Sequence, residues 1–150
     1  MSDDTNHRSL AVVYFNGTWD LIDATTRTPD QDLEMLTRAF ASRQHWIEAG
    51  GTDQNIAIAD WQVAHAASLA GFTDVADAFS TAAYDRARAA ALPTWMQAST
   101  AEGRARACAA MHDIAGYEKY AAETKDLLDK VTDLEDRQLV ESQLQSIPAP

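Results

Sequence analysis

Apolar positions recur every three to four residues along nearly the whole chain and alternate with polar ones nowhere, so the pattern predicts helices and no strands. The clearest amphipathic element follows Thr28-Pro29, carries Leu33, Leu36, Ala39, Phe40, Arg43, Trp46 and Ile47, and stops at Gly50-Gly51. Before it, Leu10, Val13, Tyr14, Gly17 and Leu21 predict a helix from about Ser9 to Asp23. Gly17 inside a helix costs about 1 kcal/mol relative to alanine, which points to a close approach by a neighbour. A third helix, Asp53 to Ala70, has Ile56, Ala59, Val63 and Ala66 on one face and Ile58, Trp61 and His65 on another, a sign of burial on more than one side. Thr73 is the expected cap of a fourth helix, which runs to Ala91 before Pro93 breaks the chain. Thr94 to Ala115 and Tyr117 to Leu128 make the fifth and sixth. Thr132-x-x-Glu135 reads as a capping box opening a short seventh helix that ends at Ile147-Pro148.

The helix breaks are evenly spaced. Leu69-Ala70-Gly71-Phe72 leading to Ala76 matches Ile114-Ala115-Gly116-Tyr117 leading to Ala121 at a shift of 45 residues, and the break at Ala24 to Pro29 lies one such period earlier. Alanine matches are cheap in a chain with 29 alanines, so the Leu/Ile, Gly/Gly and Phe/Tyr matches carry the signal. The helices then pair as one with two, three with four and five with six, and the seventh caps the last pair, as a short solenoid requires. The expected architecture is all-α: about seven helices in three stacked antiparallel hairpins plus a C-terminal cap. A plain helical bundle is the alternative. Residues 1–7 read as a disordered tail, 8–147 as one helical domain and 148–150 as a second tail.

Glycine at the turn with alanine five positions later resembles tetratricopeptide-like repeats, which implies a right-handed superhelix. The period exceeds the usual 34 or so residues of that repeat. The early aromatic is matched only by Trp61, one position out of register, and no proline follows at the expected distance. The front half, Asn16-Gly17-Thr18-Trp19-Asp20-Leu21-Ile22-Asp23 with Arg27-Thr28-Pro29 and Ala41-Ser42-Arg43-Gln44-His45-Trp46, is similar to a family of uncharacterised bacterial tetratricopeptide-like proteins. The similarity covers most of the chain, including Glu135-Asp136-Arg137, and implies a fold without an activity.

Charge narrows the functions. A formal net charge of −11 opposes binding to a phosphate backbone, which depends on Lys and Arg, so no nucleic-acid partner is expected. Arg86, Arg88, Arg104 and Arg106 flank Pro93 as the one basic concentration, read either as cations near helix ends or as an anion-binding patch. Cys108 is the only cysteine, expected as a small hydrophobe on the inward side of helix five. The N-terminal residues do not resemble a signal peptide and no run approaches the ~18 apolar residues of a membrane span, so a cytoplasmic protein without membrane association is expected.

Two sets of residues are candidates for chemistry. Asp20 and Asp23 share a helix face, and a short turn would bring Arg27, Ser42 and His45 beside them and Asn16, as metal ligands or an acid/base set. The plainer reading has Asp23 accepting from Arg27, Ser42 bonded to a helix carbonyl and His45 packed beside Trp46. If the repeat sets the register, the first helix of each pair lines a concave groove, with Asn16, Asp20 and Asp23, then Trp61, His65 and Ser68, then Arg106 and Asp113, suited to a peptide or small polar ligand. Alternatively Trp61 is core and the capping helix fills the groove. The same register sets His65 near His112 and away from His45, and no histidine pair has metal-motif spacing, so neither metal nor cofactor is expected. The leading function is a protein- or peptide-interaction module. The alternative is a small-molecule or metal-dependent enzyme built on the first-hairpin cluster.

Overall fold

The computed structural model of the chain describes residues 3–150, with side chains from Asn6 onward. The described residues form seven α-helices and no strand: α1 (Asp3–Ile22), α2 (Pro29–Glu48), α3 (Asp53–Ala70), α4 (Thr73–Ala89), α5 (Thr94–Ala110), α6 (Ile114–Leu128) and α7 (Leu134–Gln145). Successive helices pack as hairpins, α1 on α2, α3 on α4 and α5 on α6. The first helices α1, α3 and α5 lie side by side, and α7 covers α5 and α6.

Local chemistry explains most of the boundaries. Thr28 and Thr52 form capping boxes with Gln31 and Asn55, each hydroxyl accepting from the amide three residues on, and Pro29 occupies the first turn of α2 where its missing N–H costs nothing. Four expected starts shift. The fifth helix ends at Ala110 instead of Ala115, because the chain turns at His112 with φ 59°, and α6 starts at Ile114 instead of Tyr117, capped by Asp113. Thr73 is the first residue of α4 rather than its cap, since Phe72 stands there without a side-chain bond. Asp133, not Thr132, caps α7 by accepting from the Asp136 amide. The α1 helix begins within the segment read as a tail, because His7 and Arg8 reach α2: the His7 and His45 Nδ1 atoms are 2.8 Å apart and the Arg8 guanidinium lies 5.4 Å from the Trp46 ring.

The repeat also takes a different register. The starts of α3 and α5, Asp53 and Thr94, and those of α4 and α6, Thr73 and Ile114, are both 41 residues apart. Gly71 closes α3 in the left-handed region at φ 83°, and its counterpart after α5 is His112 at φ 59°, whereas Gly116 lies inside the first turn of α6. The 45-residue match therefore pairs positions that are not equivalent. With the 41-residue shift, His65 corresponds to Arg106 and Trp61 to Glu102.

Alanine makes this stacking close, since α3 is buried almost continuously from Ile56 to Ala67. Met35, Ala39, Val63 and Ala66 form the core of the first two hairpins, while Ala98, Leu128, Val131 and Val140 join α5, α6 and α7. Edge-on aromatic pairs tie the second helices together, Phe40 with Phe79 and Tyr84 with Tyr120, at centroid distances of 5.3 and 5.4 Å.

Two helical glycines have opposite reasons to be glycine. A Cβ on Gly17 would meet only the Nη1 tip of the half-exposed Arg38 side chain, at 2.6 Å. A Cβ on Gly103 would lie 2.9 Å from Trp61 Cδ1, next to the Nε1 atom that a bond to Glu102 holds in place. Gly17→Ala is therefore expected to stabilise by up to about 1 kcal/mol through helix propensity. Gly103→Ala is expected to destabilise by about 1–3 kcal/mol through overpacking. Urea unfolding of the two variants measures both signs.

Candidate functional site

Along α3, three buried polar side chains engage the two neighbouring helices of the first hairpin. Asp60 pairs with Arg43 of α2, Gln62 donates to the Phe15 carbonyl of α1 at 2.9 Å, and His65 sits beside Trp19 of α1 with ring centroids 5.8 Å apart. Burial raises the Asp60 carboxyl, opposed by the Arg43 guanidinium. Burial also holds His65 well below the ordinary imidazole value, helped by the positive charges of Arg106 and Arg27.

Glu102 and Arg106 join α3, α5 and α7. Glu102 is 0% exposed and Arg106 3%. The Trp61 indole N–H donates to one Glu102 oxygen at 3.1 Å, and Arg106 Nε donates to the other at 3.0 Å. The same guanidinium donates to the Gln143 carbonyl at 2.9 Å and the Ser146 hydroxyl at 2.8 Å near the end of α7. Burial raises the Glu102 carboxyl, while Arg106 and the Trp61 donor pull it back down.

The expected open polar groove is therefore closed at its charged end. Trp61, His65 and Arg106 are core, Ser68 donates to the Ala64 carbonyl within its own helix, and Asp113 caps α6 by accepting from the Gly116 amide. The capping helix packs over Arg106 instead of leaving it to a ligand.

Beside that network the groove remains open as an apolar pocket of about 570 Å³. Phe15 and Trp19 of α1, Ile58 and Trp61 of α3, and Trp95 and Met96 of α5 form three sides, and Leu139 and Val140 of α7 form the fourth. Trp61, Met96 and Val140 are buried at the floor, while Asp23 and Leu139 are exposed at the rim. A pocket of this size, mainly apolar with a few polar groups, is typical of small-ligand sites. Phe15, Ile58, Trp95, Met96 and Leu139 escaped the sequence reading. The available signal was one tryptophan in the first helix of each hairpin, Trp19, Trp61 and Trp95. Trp19 turns toward Trp61 of the second hairpin, with ring centroids 5.8 Å apart.

The first-hairpin polar set does not come together as an acid/base site. Asn16, Asp20 and Asp23 are exposed, the buried Ser42 hydroxyl donates to the Ala11 carbonyl at 2.8 Å, and His45 stacks on Tyr14 and meets His7. Arg27 donates to Asp32 and to the Leu21 and Ala24 carbonyls, not to Asp23. Among the described residues no group of three His, Cys, Asp or Glu side chains is placed to hold a metal ion. His112 is exposed at the α5–α6 turn, apart from the buried surroundings of His65.

The arginines do not form an anion patch either. Arg86 pairs with Asp53, Arg88 with Glu123, Arg104 with Asp77 and Arg106 with Glu102, each matched to a carboxylate from its surroundings. Cys108 is buried, and its thiol is raised by that burial, as expected of a packing residue. No described helix is long and apolar enough to cross a membrane. No family model, curated protein or solved structure matches this chain.

Proposed function

We propose that the chain is a binding module, not an enzyme, whose concave face receives an apolar group from a protein or peptide partner. The observation that carries this reading is the 570 Å³ aromatic pocket bounded by α1, α3, α5 and α7. Its walls come from four packed helices, so the site is preformed and binding need order little of the protein. The hydroxyls and carboxylates that an acid/base mechanism would use are bonded to the backbone, paired with arginines or exposed without a basic neighbour. The stacking of the first helices is what supports the tetratricopeptide-like reading, in which such a face takes extended or helical peptides.

The neutral fluorophore N-phenyl-1-naphthylamine tests the pocket directly. One equivalent is expected to bind with enhanced emission, and Ser99→Phe on α5 or Leu139→Asp on α7, each folded by circular dichroism, should abolish the signal. Peptides selected from a random library against the wild-type protein should displace the probe and lose affinity for both variants. Absence of probe binding, or selected peptides indifferent to both substitutions, overturns this function.

A further inference from the structure

The chemistry of the pocket selects among apolar groups, and on the reading that it is a binding site we infer that it takes an organic cation with an apolar body, such as a quaternary ammonium group. Three indoles and the Phe15 ring line it, and aromatic rings attract cations through the negative potential of their faces, indole most strongly. No lysine, arginine or histidine is among its lining residues. Several of its donors are committed within the protein. The Trp61 N–H is spent on Glu102, the Thr100 hydroxyl on the Gln97 carbonyl and the Ser142 hydroxyl on the Leu139 carbonyl. With their protons committed, these two hydroxyls have only lone pairs left to offer, which suit a cation better than an anion.

Asp23 supplies the complementary charge. Its carboxylate is exposed at the rim and pairs with none of the described cations, since Arg27, its nearest candidate in sequence, is committed to Asp32. A net charge of −11 adds a long-range field that draws cations toward the molecule and repels anions. The volume is too large for a bare ammonium ion and accommodates a ring or short chain carrying the charged group. A neutral apolar ligand would fill the same space but leave Asp23 without a role.

An isosteric pair separates charge from shape. (3-Hydroxyphenyl)trimethylammonium and 3-tert-butylphenol differ in the quaternary nitrogen and its charge, and each is titrated against the protein carrying N-phenyl-1-naphthylamine. The cation is expected to displace the probe about tenfold more tightly, a preference in the range of a desolvated cation–aromatic contact. Asp23→Asn, a surface change that leaves the helix contacts intact, should weaken the cation severalfold and leave the neutral isostere unchanged, and 0.5 M salt should shrink the effect of Asp23. A short peptide carrying trimethyllysine that binds at least as tightly as the free cation assigns the group to a peptide partner, and one that binds more weakly assigns it to a free small molecule. Equal or tighter binding of the neutral isostere, or displacement by neither compound, overturns the cation assignment while the fluorophore's own binding leaves the pocket standing. Failure of the fluorophore to bind removes the site itself.

Discussion

Arg106→Leu is expected to cost about 3–5 kcal/mol, the largest loss of any single substitution considered for this chain, because it strips the partner from a charge with no access to water. Glu102 would keep only the Trp61 donor, and the Gln143 carbonyl and Ser146 hydroxyl would lose their guanidinium. In thermal unfolding this corresponds to roughly 10 °C for a domain of this size. The double variant Glu102→Gln/Arg106→Leu removes the stranded charge yet leaves an amide oxygen for the Trp61 indole, so it should recover at least half of the loss. Equal destabilisation of single and double variants would show that the cost lies in packing volume and not in charge. Hydrogen exchange adds a second readout: the last turn of α7 should lose protection in Arg106→Leu more than α2 does, since only α7 is tied down by that side chain. The hydrophobic contacts of Val140 and Leu144 hold the rest of α7 in place.

Acid should destabilise the protein through His65 before ordinary carboxylates begin to titrate. Burial, with Arg106 and Arg27 adding repulsion, holds the folded imidazole well below its ordinary value, so it stays neutral in the fold. Above the unfolded pKa of about 6.5 both states are neutral and His65 contributes no pH dependence. Below it the unfolded chain takes up a proton that the folded chain refuses, and stability falls with falling pH until the folded value is reached. The slope approaches about 1.4 kcal/mol per pH unit, which amounts to as much as about 2 kcal/mol at pH 5 relative to pH 7.5. Asp60 and Glu102 act with the opposite sign, since burial raises both carboxyls and a falling pH relieves that penalty. Denaturant unfolding of wild type and His65→Gln at each pH subtracts those shared contributions. A difference between the two proteins that does not change from pH 7.5 to 5 would refute the role given to His65.

Much of the fold was legible from local chemistry. Thr28-Pro29, the apolar stripe of α2, the break at Pro93 and the all-round burial of α3 each depend on residues within a few positions of one another, and each has its expected place. The repeat register was not legible. Backbone in the left-handed region favours glycine, yet the turn after α5 holds His112 there, and the next glycine, Gly116, stands four residues later inside α6. The candidate site was half legible. Trp61 lines the apolar pocket, whereas His65, Ser68, Arg106 and Asp113 found partners or burial elsewhere in the fold.

The sequence by itself determined an all-helical chain, its helix count and the helices that reverse on one another, because periodicity, caps and breakers act over one or two turns. Only the tertiary structure decided which polar groups meet. Arg106 reaches Glu102 one turn away and also α7 some forty residues on, Trp19 leans on Trp61 across hairpins, and Asp23, paired with none of the described cations, stands at a rim formed by four helices. Helical spacing specifies the face a side chain occupies, but the angle and depth at which two faces dock depend on every small residue between them. In this chain those are mostly alanines, and they allow the close stacking that buries the Glu102–Arg106 pair and leaves the aromatic pocket beside it.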